Sequence, residues 1–206
     1  MKKWAGFLII FVSLATMGFS SKYSINFNLD YNLGVSDYFD TYTTFYSYDG
    51  KNFRETSDNR MGFGFSITAT IPVMNRLYVV PGFSLKFGHQ NYEYQEIPAE
   101  TGDEDADVAT YFFTILSGRV SLLYDVLRFT SNWNVNALLG LNINSFSGDQ
   151  GMREEDDTYL SVRAGLGATF FELKHFGFQI LGYYEFPFSG DKFTFLGIQI
   201  GINYRF

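Results

Sequence analysis

Chemistry in a protein starts from a nucleophile, a metal ligand or a pair of matched titratable groups, and this chain supplies few of these. It has no cysteine, which excludes disulfides, thiolate metal sites, cysteine nucleophiles and a lipoprotein anchor together. Its two histidines are His89 and His175. On the strand pattern set out below they fall at opposite rims, so no histidine pair forms to hold a metal. His89-Gln90-Asn91 carries no His-x-Ser arrangement for hydrolysis, and His89 reads as a solvated rim residue. Gly62-Phe63-Gly64 is not a phosphate loop, because no helix follows it. Asp103, Asp105 and Asp107 have the Asp-x-Asp-x-Asp spacing of calcium loops. The required glycine and bidentate glutamate are replaced by Val108 and Thr114, so a solvated acidic loop is the better reading. The sequence therefore predicts no catalytic, cofactor or metal site.

Five charged residues stand out instead, because of where they fall. Asp30, Lys86, Arg119, Arg163 and Glu185 each sit inside a segment that alternates apolar and polar residues. In Tyr23-Ile25-Phe27-Leu29-Tyr31-Leu33-Val35 every odd position is apolar, while Ser24, Asn26, Asn28, Asp30, Asn32 and Gly34 alternate with them. Strict period two over such a length describes a strand with one greasy and one polar face. It also exceeds the 9 to 11 residues, roughly, that cross a bilayer at a tilt.

The pattern recurs seven times, at Met61–Ile71, Leu77–Phe87, Tyr111–Tyr124, Trp133–Ile143, Leu160–Phe170, Phe176–Phe186 and Leu196–Phe206. In the seventh strand Leu181 and Tyr183 blur the polar face. Eight strands result, joined alternately by short turns (73–76, 125–132, 172–175) and longer polar connections (36–60, 93–109, 147–158, with 187–192 a short member). Such alternation is what an up-and-down barrel gives when its turns lie on one side and its loops on the other.

The first twenty residues have another task. Lys2 and Lys3 precede an apolar run from Trp4 to Thr16, and Gly18 and Ser20 are the small residues of a cleavage site. Residues 1–20 are read as a signal peptide and 21–206 as one barrel domain, with loss of the two lysines making the net charge more negative than −7.

Which face points outward follows from composition. The polar faces are Gly, Ser, Thr and Asn with few ions, which suits a narrow hydrated interior better than a water-facing surface. Aromatics recur near both ends of the apolar faces: Tyr23, Tyr124, Trp133, Phe170, Phe176 and Tyr204 on the turn side, and Phe63, Phe87, Phe112 and Phe186 toward the loops. Interfacial girdles of this kind mark a membrane barrel. The chain ends on Ile198, Ile200, Ile202, Tyr204 and Phe206 at every second position.

That ending resembles the C-terminal recognition signal of bacterial outer-membrane barrels. The whole mature chain resembles the small-barrel group that includes the OmpA membrane domain, OmpX and the opacity proteins. The resemblance implies an all-β, eight-stranded antiparallel transmembrane β-barrel in the cell outer membrane, with its termini in the periplasm. It also implies that the barrel assembly machinery reads Ile202, Tyr204 and Phe206, and that outer-membrane lipids surround the apolar faces.

An eight-stranded barrel encloses little more than its own side chains. Asp30, Lys86, Arg119, Arg163 and Glu185 should therefore meet in the lumen as a structural salt-bridge network; the rival reading is an ion path or gated pore. Arg163 and Glu185 lie at similar heights on adjacent strands and are expected to pair. Loop 36–60 carries five acids and three bases, 93–109 seven acids and no base, and 147–158 five acids and one base. This acidity disfavours nucleic acid and would attract divalent cations or a basic extracellular ligand. Tyr38, Phe39, Tyr42, Phe45, Tyr46, Tyr48 and Phe53 make loop 36–60 aromatic, either to contact a partner or to extend the strands as hairpins. A non-enzymatic structural or surface-interaction role is expected, with a narrow channel or small-molecule carrier as the alternative and a lipid-modifying enzyme least favoured.

Overall fold

The structure is a computed structural model that describes residues 23–35, 42–48, 51–97, 106–130, 133–148, 157–170, 175–188 and 193–206. The signal peptide, Asp103 and Asp105 lie outside the described residues. Nine strands follow one another: β1 (Ser24–Gly34), β2 (Tyr42–Tyr48), β3 (Lys51–Met74), β4 (Leu77–Ile97), β5 (Ala106–Thr130), β6 (Trp133–Gly148), β7 (Asp157–Phe170), β8 (Phe176–Pro187) and β9 (Phe195–Arg205). Eight of them, β1 and β3 to β9, close into an antiparallel ring. Closure falls on β1, whose Ser24 lies opposite Thr70 of β3 on one side and Arg205 of β9 on the other. The backbone N–H of Phe206 donates to the carbonyl of Tyr23 at 3.0 Å, so the last residue is stitched to the first strand.

The alternation in sequence becomes an alternation of environment. Along β1 the even positions from Ser24 to Asn32 are buried in the lumen, while Phe27, Leu29, Tyr31 and Leu33 are exposed outside. Leu139, Leu141, Ile198, Ile200 and Ile202 repeat the pattern on other strands. In water an exterior of this kind would be an aggregation surface. Against hydrocarbon it is the expected face, and closing the ring leaves no open sheet edge in the bilayer. At the turn side the rings of Phe129, Trp133 and Phe170 stack in a row, with centroids 4.3 and 5.7 Å apart. Phe176, Tyr204 and Phe206 form a second aromatic cluster at the same end, with edge-on contacts of 5.1 and 5.0 Å.

Connections depart from the sequence expectation in two places. The expected turn 125–132 is mostly strand, since β5 continues to Thr130 through register shifts at Asp125/Leu127 and Arg128/Thr130. Loop 36–60 contains a ninth strand: β2 pairs with the start of β3 from Tyr42↔Ser57 to Tyr48↔Lys51. Residues 42–57 of that loop thus include a hairpin that extends the wall of β3. Much of 93–109 is strand too, because β4 runs to Ile97 and β5 starts at Ala106. The strands β3, β4 and β5 have 24, 21 and 25 residues, against 11 for β1 and β9. Only about 9 to 11 residues are needed to cross the bilayer. The surplus stands beyond the membrane on the loop side as a small sheet.

Two outcomes test this architecture. The mature protein should stay with outer membranes through carbonate extraction and should migrate differently in SDS gels before and after boiling; release by osmotic shock would contradict it. Deleting Phe206 removes both an outward ring and the seam bond to Tyr23. It should abolish most of the folded yield, whereas excising 98–105 should leave the yield of the heat-modifiable form nearly unchanged.

Candidate functional site in the barrel lumen

Read along each strand from turn to loop, the inward side chains fall into layers. The turn-side end is polar. Asp125 is buried at 1% exposure and holds three donors: Arg128 Nη2 at 2.6 Å, Asn136 Nδ2 at 3.0 Å and the Tyr78 hydroxyl at 3.2 Å. Arg128 also donates to the Tyr78 oxygen at 3.1 Å, closing a compact triangle. The backbone N–H of Asp125 donates to the carbonyl of Arg76, which takes a left-handed φ of 68° in the β3–β4 turn. A cavity of about 50 Å³ opens at this end among Ser24, Asn26, Asn134, Asn203 and Arg205.

Next comes an apolar layer of Val80, Leu123, Leu138 and Leu181, with Tyr78 packed against it. Above it lie all five charges that the sequence singled out, each at most 4% exposed. The register places Arg163 directly opposite Glu185. Their expected ion pair does not form, and Glu185 turns to the far wall instead. Lys86 Nζ donates to Glu185 Oε2 at 2.6 Å, and Ser161 Oγ to Glu185 Oε1 at 2.7 Å. Asn144 Nδ2 reaches the same Oε1 at 3.3 Å. Arg163 donates from Nη2 to Gln199 Oε1 at 2.6 Å, and its guanidinium lies 3.5 Å from the centroid of the Tyr183 ring. The Tyr183 hydroxyl donates to Asn32 Oδ1. Asp30 is in the layer but neither carboxylate oxygen has a hydrogen-bond partner, and Arg119 bonds to none of the other four. The five residues thus share one level but contain one direct ion pair, Lys86–Glu185, rather than a continuous network.

The loop-side end is closed by aromatic packing. Met61, Phe113, Ile115, Phe146, Tyr159, Phe193 and Phe195 form one buried cluster. The Phe146 and Phe193 rings stack at 5.0 Å, and Phe113 lies 5.3 Å from Phe146. This lid rests on the charged layer, with Lys86 Nζ 4.4 Å from the centre of the Phe195 ring.

Glycine makes the filling of so narrow a tube feasible. A Cβ on Gly197 would come within 2.3 Å of Tyr183 Cζ, and one on Gly88 within 2.2 Å of Phe113 Cζ. Each large ring therefore lies over a residue that has no side chain.

The inward apolar layers were not anticipated, although the sequence marks them. Where alternation breaks into doubled apolar residues, at Phe112-Phe113, Leu122-Leu123 and Leu138-Leu139, one member must face inward. Of the histidines, His89 sits on the flank of β4 with its ring 6.5 Å from that of Phe112. His175 Nδ1 lies 3.0 Å from the Arg205 carbonyl, and its ring stacks on Tyr204. Ile202 and Tyr204 lie on β9 at the seam, and Phe206 follows directly after the strand.

Breaking the buried pair should be costly, and removing both charges should not. Glu185→Gln alone leaves the Lys86 ammonium unbalanced and should cost about 3–5 kcal/mol, whereas Glu185→Gln with Lys86→Met should cost far less. Urea unfolding of protein refolded into lipid vesicles measures this coupling. The same cycle between Arg163 and Glu185 should give a smaller one.

No protein-family model matches the chain, and no curated protein matches it in sequence. Solved structures do resemble it in fold. Neisserial surface protein A is 13% identical with a TM-score of 0.50, over 89% of this chain and 97% of that one. Ail, the attachment invasion locus protein of Yersinia pestis, is 18% identical with a TM-score of 0.48, over 91% of this chain and 100% of its own. The N-terminal β-barrel domain of Pseudomonas aeruginosa OprF is 8% identical with a TM-score of 0.45, again over 91% and 100%. At these identities the likeness concerns fold. With a closed ring, an apolar exterior and interfacial aromatics, the chain is an integral outer-membrane β-barrel of the small eight-stranded type.

Proposed function

We propose that this protein is a non-enzymatic surface protein whose barrel is an anchor and whose sheet beyond the membrane meets extracellular partners. The observation that carries this reading is the contrast between a filled lumen and an open outer sheet. The lumen is packed from the Val80–Leu181 layer, through the Lys86–Glu185 pair, to the Phe113–Phe193 lid. A lumen filled to this extent by described side chains counts against the channel or carrier alternative.

The outer sheet is built for contact. Among the described residues strand β2 is paired on one side only, by β3, which leaves its other edge without a strand partner. Such an edge is a template for another extended chain unless it is protected. Phe45 and Tyr48 are 67% and 73% exposed on this strand. Behind them Phe53 stacks on Tyr94 at 5.2 Å and Tyr92 meets Tyr111 edge-on at 5.7 Å, which stiffens the platform. Aromatic residues are the side chains most enriched in protein-contact patches. The acidic loops on the same side favour divalent cations or a basic partner surface, and disfavour nucleic acid. Below the sheet, the outward apolar faces take outer-membrane lipid as their partner. Ile202, Tyr204 and Phe206 serve as the mark read by the barrel assembly machinery.

Two measurements test the reading. Purified protein in planar bilayers should give no steady conductance above that of the bare membrane, and a stable ohmic pore would favour the channel reading. Replacing 42–54 with a short turn should keep the heat-modifiable barrel but reduce attachment of the bacterium to surfaces or cells several-fold. Unchanged attachment would remove the hairpin from the function.

A further inference from the structure

The charged layer of the lumen is unbalanced. Lys86, Arg119 and Arg163 are cations; Asp30 and Glu185 are the anions. All five are nearly fully buried. Lys86 and Glu185 neutralise each other by contact. Arg163 spends one donor on Gln199, and its Nε is buried without a hydrogen-bond partner. Arg119, at 4% exposure, donates to no group among the described residues, although a guanidinium has five N–H donors. A buried cation whose donors are unsatisfied is costly, so something other than protein should occupy the space in front of them.

That space exists and its lining is selective. A cavity of about 10 Å³ lies between Arg119 and Arg163, with Ser121, Gln179 and Gln199 adding polar atoms. No carboxylate is among its lining residues; Asp30 is the nearest free anion, and it acts on Arg119 from outside the cavity. Room of this order admits a single water-sized particle. The cavity shares Asn26, Thr70, Leu123 and Gln179 with the larger polar cavity at the turn-side mouth, where Arg205 stands. The aromatic lid closes the opposite end. Among the described residues the open route to it is from the turn side, the periplasm.

We propose that Arg119 and Arg163 hold one small monovalent anion of the halide class, admitted from the periplasm, as a structural ion of the folded barrel. Arg119 and Arg163 line one cavity and repel each other, and an anion held there would convert that repulsion into charge-assisted contacts. Water fits the same space but leaves the excess positive charge uncompensated. Room for one water-sized particle favours a monatomic anion over a polyatomic one.

Sodium bromide is the probe. Crystals of the detergent-solubilised protein grown or soaked in it should show a bromine anomalous peak between the Arg119 and Arg163 guanidiniums. Urea unfolding in phosphatidylcholine vesicles should shift to higher urea in bromide than in sodium gluconate of equal ionic strength. At a bromide concentration about nine times the dissociation constant, the folded-to-unfolded ratio rises about tenfold. Arg119→Gln should abolish the halide dependence and Arg119→Lys should retain part of it, while exposed Arg60→Gln should leave it intact. If Arg119→Gln fails to fold, the anomalous map of the unaltered protein decides. An ordered water without anomalous signal at the site, or equal unfolding midpoints in bromide and gluconate, overturns the proposal.

Discussion

Everything in this molecule depends on the requirement that no backbone N–H or C=O be left unpaired in hydrocarbon. For strands the solution is to close the sheet on itself, and here closure is made by β1 alone, held by β9 on one edge and β3 on the other. Once the ring is shut, alternation sends every second side chain into a tube barely wider than the side chains themselves. The apolar exterior, the crowded interior and the glycines beneath Tyr183 and Phe113 all follow from that one geometric demand.

The interior satisfies the demand by stratification. Five of the buried charges share one level, between an aliphatic layer toward the periplasm and an aromatic layer toward the outside. Buried at 2% and 1% side-chain exposure, the Lys86–Glu185 pair lies in a setting where partners must be fixed in place. Ser161 and Asn144 supply the additional hydrogen bonds that buried ion pairs need if they are not to cost more than they return. The cluster around Asp125 is organised differently: it braces the β3–β4 turn against β5 at a rim open to the periplasm.

How far the sequence reveals this depends on which interaction is asked about. Strand positions and facing were legible because a one-residue slip would turn Phe27, Leu29 and Tyr31 into the lumen, and no other register buries Asp30, Asn28 and Asn26 together. The inward direction of the five charges followed from the same parity. Their pairing did not, because register fixes only backbone neighbours. Arg163 and Glu185 are opposite each other along the wall, yet a long side chain in a narrow tube reaches across it as easily as along it, and Lys86 supplied the better contact. The strand β2 was hidden for another reason. Tyr42–Tyr48 is aromatic and polar on both faces, as suits a sheet bathed by water, so it lacks the one-sided pattern that marks the others.

The unequal strand lengths give the molecule a front and a back. The wall above β3, β4 and β5 continues for roughly ten residues past the rim, about 30 Å measured along the strands, whereas the rim at β8 and β9 ends near the membrane. Viewed from outside the cell this is a screen rising from one side of a closed lid. An approaching molecule meets either the screen or the low rim, depending on how the barrel is turned about its own axis. Rotation in the plane of the membrane, and whatever neighbours restrain it, would then set which surface is on offer.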